Sequence, residues 1–145
     1  MTTFVVDASV AAKWVLPVTK EPLSDHAERL LRAYAVGSIQ ILVPDLFWLE
    51  IGSFFWKASR RGEIKPELAR QGLETMLNRG LPTVPTRSFL PQALGIAMEF
   101  DRTVYDSVYV ALAVATRSEL ITADERLANA LAARFPVRWL GAFHE

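Results

Sequence analysis

The chain has 145 residues, 51% hydrophobic and 22% charged, the composition of a folded globular domain with neither a disordered nor a fibrous bias. Its 16 basic and 16 acidic side chains cancel, so the basic surplus typical of nucleic-acid binders is absent and only local clustering of charge could restore that activity. With no cysteine there is no disulfide framework, thiolate nucleophile or zinc site, and no apolar run approaches the roughly 20 residues that span a bilayer.

Phe4-Val5-Val6-Asp7 puts a carboxylate at the end of an apolar run. Such a run predicts a strand buried on both faces, as in a parallel sheet. It begins so early that no secretory leader is expected, and cytoplasm is the default location. Ser9 is placed to cap the following helix, which Pro17 stops. Pro22 opens the next helix as its first residue. Leu23, Ala27, Leu30, Leu31, Tyr34 and Ala35 recur at helical spacing to about Val36, and Gly37 closes the element. Residues 39–43 form a second strand ended by Pro44, and strand–helix–strand order predicts a right-handed parallel crossover.

A long helix over 45–61, stopped by Gly62, is apolar around most of its surface: Leu46, Phe47, Trp48, Leu49, Ile51, Phe54, Phe55 and Trp56. Glu50, Ser53, Lys57 and Arg60 or Arg61 form one narrow polar stripe, so the helix is expected to be covered on more sides than a surface helix. Helices over 66–78 and 89–100 follow, with a short third strand at 82–85 between them. Residues 103–113 make a helix rich in small residues, able to lie close to the sheet. A strand at 119–122, a helix over 125–134 and an edge strand at 137–140 complete the chain. No repeat or linker interrupts this order. A single three-layer α/β domain over 1–145 is therefore expected, with a central, mostly parallel sheet flanked by helices. His26 and His144 fall at a polar helix start and at the chain end, and are expected in solvent.

Four acids fall at element junctions. Asp7 and Asp124 follow strands, while Glu50 and Asp106 lie in the first turns of helices. In a parallel sheet all four gather at the carboxyl edge, where α/β proteins bind ligands. Each has an ordinary alternative: Asp7 and Asp124 as helix caps, Asp106 as the partner of Thr103 in a capping box, Glu50 as part of a solvated face. Together the alternatives weaken, because Asp106 borders a buried element and Glu50 is flanked by bulky apolar residues. Gathered carboxylates repel by roughly 4 kcal/mol per pair at about 4 Å and an effective dielectric near 20, so a cation or raised pKa values must relieve them. An oxygen-only set suits Mg²⁺, or Mn²⁺ in its place, the ions of metal-assisted phosphodiester hydrolysis.

The run Val6-Asp7-Ala8-Ser9-Val10-Ala11-Ala12-Lys13-Trp14 resembles the opening of PIN-domain ribonucleases, in particular the VapC toxins of prokaryotic type II toxin–antitoxin systems. Pro44 followed by Glu50 resembles their second motif. Residues 104–113, VYDSVYVALA, resemble their third, and residues 120–127, LITADERL, their fourth. The resemblance spans the chain in the right order. It implies a PIN-like fold and an acidic Mg²⁺ pocket of Asp7, Glu50, Asp106 and Asp124. Asp7 and Asp106 would be the principal metal ligands, Asp124 close or water-mediated, and Glu50 would orient water. Thr122 matches a common polar residue near the pocket, Ser9 is a plausible donor to it, and Lys13 lies within a matching motif. Asp45 and Asp101 are close to the motifs but off the matching positions.

The expected activity is that of a Mg²⁺-dependent endoribonuclease toxin restrained by a cognate antitoxin. Lys57, Arg60, Arg61 and Lys65, with Lys13, are candidates to meet RNA phosphates, although a solvated helix end explains them equally well. Two other readings compete. One is a PIN-like nuclease of RNA maturation or DNA flaps, which usually carries additional domains; the other is a non-catalytic binding module, against which the intact acids argue. The resemblance also implies a homodimer and a groove for an amphipathic antitoxin segment, with Trp48 or Trp56 expected at one of these contacts.

Overall fold

The computed structural model describes residues 1–15 and 22–144; Pro17, the expected stop of the first helix, lies outside them. Thr2–Val6 (β1) is the central strand, and Phe4, Val5 and Val6 are all buried, so both faces of the sheet are covered there. Ile39–Pro44 (β2) and Glu119–Thr122 (β4) pair with β1 on either side. Thr83–Val84 (β3) adds to β2 and Val137–Trp139 (β5) to β4. The order is β3-β2-β1-β4-β5. Every pairing is parallel rather than mostly parallel, so all strands deliver their carboxyl ends to one edge. Helices close the two faces and make three layers.

The helices are Ala8–Val15 (α1), Ser24–Ala35 (α2), Leu46–Arg60 (α3), Pro66–Leu77 (α4), Leu90–Phe100 (α5), Val104–Ala115 (α6) and Glu125–Leu131 (α7). Two starts differ from expectation. Asp7, not Ser9, caps α1: the Asp7 carbonyl accepts from Val10 N–H at 3.2 Å and its carboxylate from Ser9 N–H at 3.2 Å. Pro22 lies in a turn ahead of α2, because Leu23 takes a left-handed conformation (φ 70) and the helix begins only after it. The last helix ends at Leu131, short of Arg134.

Helix α6 lies against β1, β2 and β4, and its run from Ser107 to Ala113 is buried throughout. Small side chains permit that close approach. Helix α3 buries Phe47, Ile51, Phe55 and Ala58 and packs on α4, where a Cβ on Gly72 would stand 2.5 Å from the Phe55 ring. The remaining apolar side of α3 is only partly covered: Leu49 is 75% and Trp56 57% exposed. Gly62, at φ +74, provides the left-handed turn that closes α3. His26 is half-buried rather than free in solvent, its ring 6.4 Å from that of His144. Among the described residues no helix is long and apolar enough to cross a membrane.

Candidate active site

Asp7 leaves β1 where β1 and β4 are paired, its N–H reaching the Ile121 carbonyl at 3.4 Å. It is only 8% exposed. The hydroxyls of Ser9 and Thr122 both hydrogen-bond its carboxylate. Each hydroxyl also accepts a backbone N–H from the loop after β4. Ser9 Oγ takes that of Ala123 at 3.1 Å, and Thr122 Oγ1 that of Asp124 at 3.0 Å. Two small polar residues thus lock the ends of the paired strands together and aim Asp7. Thr122 is fully buried, so it meets the Asp7 carboxylate and the Asp124 backbone from behind and has no surface to offer a substrate.

Both helix-start acids use the capping geometry read from the sequence. Thr103 Oγ1 accepts Asp106 N–H at 3.0 Å, and the Thr103 hydroxyl also favours the ionised Asp106 carboxylate. Asp124 Oδ1 accepts Leu127 N–H at 3.2 Å and starts α7. Capping and membership of the site are compatible, because a cap occupies one carboxylate oxygen and leaves the other.

Tyr109 was not anticipated. It stands one turn after Asp106 on α6, 2% exposed, and donates its phenolic O–H to Glu50 Oε1 at 2.5 Å. The phenolic oxygen of Tyr109 in turn accepts the N–H of Ala8, next to Asp7. The signal in the sequence is a tyrosine inside a small-residue, apolar helical run, three residues after an acid.

The four acids sense one another in series: Glu50 acts on Asp7, Asp106 on Glu50, and Asp124 on Asp106. Burial, opposed by the hydroxyl and amide donors and reinforced by Glu50, pushes the Asp7 carboxyl up to about 6. Burial also raises Glu50, with Asp106 adding to it and Tyr109 and Lys57 opposing. Asp106 is raised by burial and by Asp124, against Thr103 and Arg102. The Tyr109 phenol is held neutral, first by burial and then by Glu50 and Asp7. Among the described residues no three His, Cys, Asp or Glu side chains converge as a finished ion site. The acids are neighbours in field rather than a closed cage.

Other candidates fall at different distances. Lys57 lines a groove of about 230 Å³ with Ala8, Ser9, Glu50, Ser53 and Phe54. Lys13 is half-buried on α1. Arg60 lies over the exposed Trp56 ring, 5.2 Å from its centre, and Trp48 donates to Thr83 Oγ1 at 3.0 Å. Asp45 accepts from Thr86 N–H at 3.1 Å, and Asp101 is the left-handed residue that ends α5. Both serve local structure.

The PIN domain family model matches residues 4–131, a span holding all four acids. Ribonuclease VapC3 of Pyrobaculum aerophilum is 35% identical over 128 residues, covering 86% of this chain and 92% of that protein. The chain belongs to the PIN domain family, in its VapC group. Solved structures carry the same fold. PAE2754 of Pyrobaculum aerophilum superposes with a TM-score of 0.68 at 20% identity, covering 97% of this chain and 85% of that one. VapBC2 of Rickettsia felis, bound to a DNA fragment from its promoter, gives 0.65 at 13% identity over 95% and 98%. The PIN fold accounts for the position of β1 at the centre of the sheet, with Asp7 at its carboxyl end.

Proposed function

We propose that the chain, as one nuclease domain over residues 1–145, is a metal-dependent endoribonuclease and the toxin of a type II toxin–antitoxin pair, acting in the cytoplasm. One observation carries this reading. Four carboxylates from β1, α3, α6 and the end of β4 are coupled through their charges at a single sheet edge, in a chain related to a ribonuclease over most of both lengths.

The donor set fits a hard divalent cation. It is oxygen-only, Asp7, Glu50 and Asp106 are raised by burial and by a neighbouring acid, and a cation relieves both costs. Asp7, Asp106 and Asp124 would hold Mg²⁺, or Mn²⁺ in its place. When bound, the ion supplies an activated water and offsets charge on the phosphate. The chain's own contribution is placement. Ser9 and Thr122 pin Asp7, Thr103 caps the turn that carries Asp106, and Glu50 orients the attacking water. The groove beside Glu50 admits the RNA strand, with the Lys57 ammonium on a phosphate and Lys13 on the neighbouring helix as a further cation.

An apolar groove of about 410 Å³ between α3, α5 and α6, lined by Leu46, Leu49, Leu90, Val104, Tyr105 and Val108, supports protein partners. So does the exposed Trp56. A second copy of the chain and a cognate antitoxin are the partners proposed, in keeping with the VapBC2 neighbour.

The test is cleavage of a mixed RNA substrate by purified protein. Cutting should require Mg²⁺ or Mn²⁺ and disappear in Asp7→Asn and in Asp106→Asn with the fold intact by circular dichroism. Undiminished cutting under chelation, or in both variants, contradicts the reading.

A further inference from the structure

Tyr109 is a polar residue for which packing gives no account. In a helix buried from Ser107 to Ala113, a phenylalanine would fill the same space without a hydroxyl to satisfy. The hydroxyl makes two bonds, and each goes to a different wall of the site. It donates to Glu50 Oε1 on α3 at 2.5 Å and accepts the N–H of Ala8, at the start of α1 beside Asp7. Its own helix carries Asp106 one turn earlier, where i and i+3 share a face. A single oxygen therefore ties the helices that bear or border Asp7, Glu50 and Asp106.

Glu50 depends on that tie. Its carboxylate has two oxygens; Oε1 is taken by Tyr109, and among the described residues nothing donates to Oε2. A half-buried glutamate on a helix still has several rotamers and would swing away from Asp7 and Asp106. A short bond from a buried, neutral phenol selects one rotamer and keeps the charged form favourable against repulsion from Asp106.

We propose that Tyr109 is a positioning residue of the site, its hydroxyl fixing Glu50 through Oε1 and leaving Oε2 to the attacking water. This rests on the ribonuclease reading above, and it adds a residue that acts through Glu50 without touching the substrate. Partners of this kind, one step behind the residues that meet the ion or water, typically matter by about 10- to 100-fold.

The experiment is a double-mutant cycle on RNA cleavage with Tyr109→Phe, Glu50→Ala and the pair. It is read as kcat and KM separately, with crystal structures of the wild type and of Tyr109→Phe. Tyr109→Phe should lower kcat about 10- to 100-fold and change KM less than about twofold. In the Glu50→Ala background it should lower kcat no further. The crystal structure should show the Glu50 carboxylate moved from its wild-type rotamer or split between two. The proposal is overturned if Tyr109→Phe cuts at the wild-type rate, if its loss persists undiminished without Glu50, or if Glu50 stays in place in the variant. Should the wild type itself not cut RNA, the ribonuclease reading fails, and the crystallographic comparison still decides whether Tyr109 holds Glu50.

Discussion

Asp7 and Asp124 follow adjacent parallel strands, β1 and β4, yet their surroundings are opposites. Asp7 is buried, gripped by two hydroxyls and pushed up to about 6. Asp124 is exposed, with one oxygen committed to Leu127 N–H at the start of α7. The inner half of the site, Asp7 with Ser9, Thr122, Glu50 and Tyr109, is a hydrogen-bonded unit held by the core. The outer rim, Asp106 and Asp124, is anchored by helix caps and meets solvent. A buried inner acid with solvent-facing outer ones suits a site that must admit a phosphodiester strand and still hold an ion.

The largest effect expected from this contrast is on metal-free stability. The Asp7 carboxyl titrates near 6 in the folded chain against an ordinary 3.8. The folded state therefore binds the proton more tightly than the unfolded one, and stability falls as pH rises from about 4 to about 6. A shift of that size amounts to about 3 kcal/mol once the acid is fully ionised. In chelator, denaturant melts of wild type and Asp7→Asn should diverge over this range, the variant being relatively more stable at pH 7. Parallel curves would mean that Asp7 ionises without penalty.

At the rim the effect is smaller and of a different kind. Asp124→Ala removes the cap of α7 and should cost about 1 kcal/mol, whereas Asp124→Asn keeps the acceptor and should cost little. Both should lose RNA cleavage alike. Wild-type cutting by Asp124→Asn would reduce Asp124 to a cap. The smallest effect belongs to Lys57, beyond the acids. Lys57→Ala should weaken RNA binding a few-fold, lower the salt slope by about one and leave kcat in place.

Much of this contrast was legible in the chain. β1 announces itself as Phe4-Val5-Val6, and the junction positions of Asp7, Glu50, Asp106 and Asp124 follow from element order alone, because a parallel sheet sends every carboxyl end to one edge. Thr103 and Asp124 could be read as caps from local chemistry. The misreadings are tertiary in origin. Ser9 has the chemistry of a cap, but Asp7 itself holds the first turn, and the Ser9 hydroxyl is drawn to Ala123, 114 positions away. Pro22 is a good first helical residue until the left-handed Leu23 intervenes. Tyr109 looks like core in a helical run; only the approach of α3 and α1 turns its hydroxyl into part of the site. On α3 the apolar excess divides as no periodicity could specify, with Phe55 buried against Gly72 while Leu49 and Trp56 remain exposed.

The claim on which everything else depends is that the four acids act as one divalent-ion site, and a calorimetric titration with Mg²⁺ and with Mn²⁺ tests it most directly. The wild type should bind saturably at neutral pH. Its unfolding free energy should rise as RT ln(1 + [L]/Kd), about 2.7 kcal/mol at 100 times Kd, and Asp7→Asn should lose both responses. No binding heat and no thermal shift in the wild type with either ion would contradict it.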